Sequence, residues 1–308
     1  MIKINQLTKY FGEFCAVDKL SFTVEPGEVL GFLGPNGAGK STSMKMITGF
    51  LTPTSGSVSV MGHDIVDNPL AAKECMGYLP EGAPSYQDMT VIQFLGFIAE
   101  MRGIEAGTLQ ARIAHVVQQT QLSDVLYQPV ETLSKGFKRR VGLAQAIIHD
   151  PQVLILDEPT DGLDPNQKHQ VRQLIQGMAK DKIIIVSTHI LEEVSAVCSR
   201  AMIIDRGRLI ADGTPSELES RSRYHGAVSL QVTQLESLKP QIKSLAQVAE
   251  IEETDDAERI IILPRSGQEV HHEVSQLLAQ KNLTPSEFHV ERGRLDDVFR
   301  TLTTNQSV

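Results

Sequence analysis

The chain has 308 residues, of which 41% are hydrophobic and 22% charged, with three cysteines and no tryptophan. A net charge of −9 disfavours nonspecific affinity for nucleic acid or anionic lipid, and no run of about 18 apolar residues exists to span a bilayer. The opening MIKINQLTKYFG has no apolar signal core, and Cys15, Cys75 and Cys198 lack metal or redox spacing. A cytoplasmic chain with reduced, structural cysteines and two domains is therefore expected.

Residues 2–8 and 20–25 alternate apolar and polar, as half-buried strands of an antiparallel sheet do. Between them Tyr10 and Phe11 precede Gly12, an exposed pair that reads either as an adenine-stacking platform or as ordinary packing. The apolar run 29–33 then feeds a glycine-rich turn. Residues 34–41, GPNGAGKS, fit G-x-x-x-x-G-K-[ST]. The loop of Gly34, Pro35, Asn36, Gly37, Ala38 and Gly39 lets backbone N–H groups turn inward around an oxyanion, and the helix start at Lys40, Ser41 and Thr42 adds partial positive charge. Lys40 can reach the β and γ phosphates, and the Ser41 hydroxyl is placed for Mg²⁺. The pattern names a nucleoside triphosphate without saying what it is for.

A helix over 41–48 ends at Gly49, a turn at 53–56 leads into a strand over 57–61, and residues 71–82 pass from a helix end through a short strand to Pro80 and Glu81. Helices over 90–102 and 108–122, and a third ending at 148, make the region from about 83 to 150 a helical insert into an α/β core. Ser134 is the expected N-cap of the third helix. Lys138, Arg139 and Arg140 crowd its start, where the macrodipole disfavours cations, so they read as a solvated face or as a sign of a nearby anion.

The run 153–156, apolar on both faces, delivers Asp157 and Glu158 at the end of a central parallel strand. Asp164 and Pro165 have the chemistry of an N-cap and first helical residue, with Val171, Leu174, Ile175 and Met178 as the buried stripe. A second apolar strand over 183–186 ends in Ser187, Thr188 and His189. A helix to 198, a hairpin over 201–213 and a capping box at 214–217 complete a first domain of residues 1–221. Residues 222–308 then follow the order β-α-β-β-α-β with a terminal helix at 295–303, a small ferredoxin-like α+β domain. Its acidic excess makes it no nucleic-acid arm. A second TPSE at 284–287 is read as entering a strand, not a helix.

In a parallel sheet the strand C-termini and the phosphate loop share one edge. Asp157 can there hold Mg²⁺ opposite Ser41, Glu158 is placed as general base for the attacking water, and His189 to contact the γ-phosphate. By itself the histidine reads as structural or surface.

GPNGAGKST (34–42), LSKGFKRRVGLAQAI (133–147), VLILDEPTDGLDP (153–165) and STHILEE (187–193), in this order, resemble the nucleotide-binding subunit of an ATP-binding-cassette (ABC) transporter, over about residues 1–220. The resemblance implies a P-loop NTPase (RecA-like) core with an antiparallel β subdomain and the helical insert, and an ATPase using ATP and Mg²⁺. It implies two cassettes meeting head to tail, as a homodimer or with a second ABC ATPase. ATP would lie between the phosphate loop of one and Ser134, Lys135 and Gly136 of the other, with Asp164 at the dimer seam. Phe11 then matches the adenine-stacking position better than Tyr10, and the basic residues 138–140 gain a reason to stand at the helix start.

Where most family members have glutamine after the Pro80 position, this chain has Glu81, which brings a charge that binds metal more tightly or misplaces water. YLPE, LSKGF and the LDDVF at 295–299 look like exporter cassettes that pair with ABC-2 class permeases. That resemblance implies an integral-membrane permease partner, a peripheral location on the cytoplasmic face, no nucleic-acid partner, and residues 83–98 either as the permease-facing surface or as ordinary helix packing. A soluble ABC ATPase acting on ribosomes or DNA is opposed by the single cassette, the lack of a long coiled-coil insertion and the acidic tail. A regulatory, weakly hydrolysing cassette is opposed by Glu158, His189 and the intact loop, while Glu81 leaves it room.

Overall fold

The computed structural model describes residues 1–82, 85–256 and 258–304. Residues 83 and 84, the first two of the expected insert and of the permease-facing stretch, lie outside the described residues. The chain divides into two compact units, residues 1–212 and 213–308, where the sequence places the boundary after Arg221.

The first unit opens with the hairpin β1 (Ile2–Phe11) and β2 (Phe14–Val24), followed by β3 (Val29–Leu33), α1 (Lys40–Ile47), β4 (Ser55–Val60), β5 (His63–Asp64), α2 (Pro69–Glu74) and β6 (Met76–Leu79). Three helices come next: α3 (Val91–Met101), α4 (Ala106–Thr120) and α5 (Lys135–Ile147). The unit closes with β7 (Val153–Asp157), α6 (Pro165–Met178), β8 (Ile183–Thr188), α7 (Leu191–Val197), β9 (Arg200–Asp205) and β10 (Arg208–Gly213). β1 runs on through Tyr10 and Phe11, so the aromatic pair sits in the hairpin strand itself, ahead of Gly12 at φ 59°.

Two sheets result. β2-β1-β4-β5 is antiparallel, and β10-β9-β3-β8-β7-β6 is parallel from β9 to β6. The runs VLGFL, VLILD and IIIVST of β3, β7 and β8 are buried at every residue because both faces of the parallel sheet are covered. On one face Phe32, Met44, Met46, Ile47 and Ile155 pack with Leu20 and Val58 of the antiparallel sheet; on the other, Leu154, Leu156 and Ile184 pack with Phe94, Leu95, Val116 and Ile147 of the helical insert. Each such side chain contributes roughly 1.5–3 kcal/mol on burial, which fixes the sheet on which the site is built. The three cysteines are free, as expected. Cys198 fills the space above Gly31, where an added Cβ would lie 2.9 Å from its Sγ, and burial pushes its thiol up to about 12.

The second unit comprises α8 (Pro215–Glu219), β11 (Val228–Gln231), α9 (Leu235–Lys243), β12 (Val248–Glu253), β13 (Arg259–Pro264), α10 (His271–Gln280), β14 (Glu287–Val290) and α11 (Leu295–Thr304). Its sheet, in the order β12-β13-β11-β14 with antiparallel neighbours, is the ferredoxin-like arrangement. Leu235, Leu238, Ile242, Val274 and Leu278 of the two helices cover Val228, Leu230, Ile260 and Ile262. Glu287 opens a strand, as read from the sequence, and Thr214 makes a complete capping box with Glu217.

Candidate functional site

Strand register assembles the site. Asp157 of β7 pairs with Ser187 of β8, and Leu33 of β3 pairs with Thr188. The phosphate loop, the Asp157–Glu158 pair and His189 therefore leave neighbouring strands at one edge.

The loop runs from Gly34 to Gly39, and the glycines are needed for space and for backbone sign. A Cβ on Gly34 would lie 2.4 Å from the Ile204 carbonyl, and one on Gly39, at φ 100°, would lie 2.5 Å from the Ala16 carbonyl. Asn36 and Gly37 stand exposed at its tip, while Ala38 and Lys40 are buried. The Lys40 ammonium donates to the carbonyls of Gly34 (2.8 Å) and Pro35 (3.2 Å), curling back across the loop that starts α1. Burial lowers its pKa, against the opposing charges of Glu158, Asp157 and Glu81. Ser41 and Thr42 follow, half-buried in the first turn.

Asp157 is fully buried, and the Ser187 hydroxyl donates to its Oδ1, while Oδ2 has no partner. A buried carboxylate oxygen left open beside the loop that carries the Ser41 hydroxyl is a hard-oxygen donor set, which fits a small divalent cation completed by substrate phosphates. No cluster of three or more metal-ligating His, Cys, Asp or Glu side chains occurs among the described residues, so the protein supplies only part of such a shell. Glu81 is exposed, two residues beyond β6.

Glu158 adopts φ 51°, in the left-handed region that non-glycine residues resist. Its N–H donates to the Ser187 carbonyl at 3.0 Å. His189 Nδ1 lies 3.0 Å from Glu158 Oε2, with the imidazole half exposed and the carboxylate largely covered. Burial raises the Glu158 pKa, and the His189 hydrogen bond pulls it back. A carboxylate so placed can take a proton from water, and the imidazole steadies it.

Two further residues hold this edge together, and sequence patterning did not single out their roles. Glu193 of α7 is buried and accepts from the hydroxyls of Thr160 and Thr188 (3.0 Å to the latter), so one carboxylate joins the segments that carry Glu158 and His189. Arg139 of α5 is also buried, and its guanidinium donates to the carbonyls of Asp157 (2.7 Å), Glu158 and Pro80 (3.2 Å). Arg140, buried too, reaches Gln170 Oε1 at 2.9 Å. Neither arginine is on a solvated face; only Lys138 stays outermost, donating to the Glu131 carbonyl.

Ser134, Lys135 and Gly136 begin α5. The Ser134 hydroxyl accepts from the Phe137 N–H as N-cap, and Gly136 abuts the Gln167 side chain of α6, 2.5 Å from where its Cβ would be. Gly162 faces the Lys135 side chain, and Asp164 caps α6 by accepting from the Gln167 N–H at 2.9 Å. The structure thus gathers these residues beside one another on α5 and α6, with Ser134, Lys135 and Asp164 exposed. Phe11 is half exposed on the hairpin, with the Lys9 ammonium 5.4 Å from its ring.

A family model described as "ABC transporter" matches residues 17–161. The Probable multidrug ABC transporter ATP-binding protein YbhF of Escherichia coli (strain K12) is 37% identical over 223 residues, 72% of this chain but 38% of YbhF, so the chain spans well under half of that relative. The Nod factor export ATP-binding protein I of Paraburkholderia xenovorans (strain LB400) is 32% identical over 303 residues, covering 98% of this chain and 96% of its own length. Among solved structures, an ATP-binding subunit of an ABC transporter superposes with a TM-score of 0.67 at 28% identity, over 72% of this chain and 92% of that one. With its phosphate loop and strand-end carboxylates arranged as above, the chain belongs to the ABC transporter family, among its ATP-binding cassettes.

Proposed function

We propose that this chain is the motor subunit of an ABC-2 type exporter, hydrolysing ATP at a head-to-tail dimer interface to drive a separate membrane permease. The observation that carries the hydrolytic part is the Glu158 carboxylate, held beside the phosphate loop and 3.0 Å from His189. Backbone N–H groups of residues 36–41 receive the β and γ phosphates, and Lys40 leaves its loop carbonyls to meet their charge. Glu158 takes the proton of the attacking water, while His189 fixes that carboxylate and meets the γ-phosphate. Ser41 and Asp157 would hold Mg²⁺, which when bound neutralises and orients the phosphate oxygens; Glu81 adds a charge at the rim of the same site. The exposed first turn of α5 and the Asp164 cap are available to a second cassette, and Phe11 to an adenine ring.

Export, rather than another use of ATP, is supported by the whole-length similarity to a Nod factor export ATP-binding protein. It is also supported by an open groove of about 700 Å³ lined by Phe50, Leu70, Met76, Tyr78, Ile98 and Met101. Phe50, Leu70 and Met101 are more than 70% exposed there, beside Lys73, Glu74 and Arg102, so the groove offers apolar contact with a charged border to a helical segment of a permease. Among the described residues no helix is long and apolar enough to cross a membrane. The direct test is Glu158→Gln. The variant should bind ATP, accumulate as a closed dimer on gel filtration and lose turnover, whereas hydrolysis at the wild-type rate would remove Glu158 from its role.

A further inference from the structure

Ser134 and Lys135 at the start of α5 are exposed and available to a second cassette, whereas one turn further in Arg139 points the opposite way, into its own chain. The side chain is 5% exposed, and its guanidinium bonds are to backbone carbonyls of Pro80, Asp157 and Glu158. Those carbonyls end β6 and β7, the two strands that deliver Glu81 and the Asp157–Glu158 pair. The planar fork suits this task, because one guanidinium can satisfy several acceptors at fixed angles, which a lysine ammonium or a glutamine amide cannot. The peptide being held is an unusual one. Glu158 stands at φ 51°, a conformation costing on the order of 1–3 kcal/mol that persists only where its surroundings impose it.

We infer that Arg139 is a positioning residue for hydrolysis: it ties the helix carrying Ser134, Lys135 and Gly136 to the backbone of Glu158 and Pro80, so that the placement of this helix sets the placement of the Glu158 carboxylate. The inference rests on the reading of Glu158 as the base. It adds a route, within one chain, from the helix that would meet the partner's ATP to the carboxylate that acts on the chain's own ATP. Arg139 touches neither nucleotide; it acts through Glu158.

The test uses the full-length protein, comparing Arg139→Gln and Arg139→Lys with wild type for MgATP affinity, kcat, KM and thermal midpoint, alone and in a Glu158→Gln background. Arg139→Gln should keep MgATP affinity within about threefold while kcat falls about tenfold or more, since misplacing a catalytic group by an ångström costs up to about a hundredfold. Arg139→Lys should recover part of the rate. In the Glu158→Gln background, Arg139→Gln should change the residual single-turnover rate less than about twofold, because the group it positions has already been disabled. Affinity and kcat falling together, or an equal slowing in both backgrounds, would overturn the inference and leave a structural staple. If Arg139→Gln does not fold, Arg139→Lys carries the same comparison. A Glu158→Gln protein that turns over like wild type would sink the hydrolysis reading first, and the positioning role with it.

Discussion

Ser187 and Asp157 face each other across neighbouring strand ends, and the serine hydroxyl occupies one carboxylate oxygen while the other is left buried and open. An unpartnered buried oxygen typically costs about 1–3 kcal/mol, which a cation would relieve. Asp157→Asn should therefore raise the Mg²⁺ concentration for half-maximal ATPase about tenfold or more, since the charge proposed to hold the cation is lost, and leave ATP binding in EDTA within about threefold. ATPase titrations with Mg²⁺ and equilibrium binding of ATP measure the two quantities.

Glu158 and His189 give a pH signature with a definite sign. Burial raises the Glu158 pKa, and a carboxylate acting as the proposed base works only when ionised, so kcat should fall on the acid side at a pH above the ordinary carboxylate range. His189 is the main influence lowering that pKa. His189→Ala should thus move the acid limb to higher pH as well as cutting kcat by about 10–1,000-fold. A kcat–pH profile of both proteins decides it; an acid limb that stays in place would show that the histidine does not act on Glu158.

Glu193 is expected to be structural first. Replacing it by alanine leaves the Thr160 and Thr188 hydroxyls without their acceptor and the Arg172 guanidinium, 3.9 Å away, without its carboxylate. A loss of about 3 kcal/mol is expected from breaking a buried charged network, less for Glu193→Gln, which keeps one acceptor. Urea unfolding of the two variants checks the order. This network also marks the limit of what the sequence could reveal. Lys40, Ser41, Asp157, Glu158 and His189 were legible because each ends an apolar strand or opens a helix, and parallel register gathers strand ends at one edge. Local charge pattern could not reveal the role of Arg139 or Glu193, because their partners lie up to 59 residues away and several are backbone carbonyls. For the same reason the three cations at this helix start read as either a solvated face or the sign of a nearby anion, whereas two of them are buried against their own chain.

The groove beside α2 and α3 predicts a separation of functions. Leu70→Glu with Met101→Glu places charge on two side chains that are 75% and 71% exposed, outside the phosphate loop and the strand-end carboxylates. The isolated chain should keep its fold and its ATPase within about twofold, because exposed substitutions of this kind usually shift stability by less than about 0.5 kcal/mol. The share of the chain sedimenting with permease-containing membranes should drop several-fold, since the docking helix would have to bury two carboxylates. Undiminished sedimentation would place the permease contact elsewhere.

His149 lines the same groove, and its stability effect is separable from docking. Its Nε2 lies 2.9 Å from the Met76 carbonyl, its Nδ1 is buried without a partner, and burial with nearby Arg102 pushes its pKa down to about 4. The unfolded chain holds a proton on this residue below about pH 6.5, whereas the folded chain stays neutral until about pH 4. The unfolded state therefore binds more protons across that window, so the contribution is fully present above about pH 6.5 and is lost as pH falls through the folded value. His149→Gln removes the titration while keeping a side chain able to donate to Met76. The stability difference between wild type and variant, from urea unfolding at pH 7 and again near pH 4.5, should shift by about 2 kcal/mol at the expense of wild type. A difference that is constant with pH would mean that His149 is hydrated and titrates as it does in the unfolded chain.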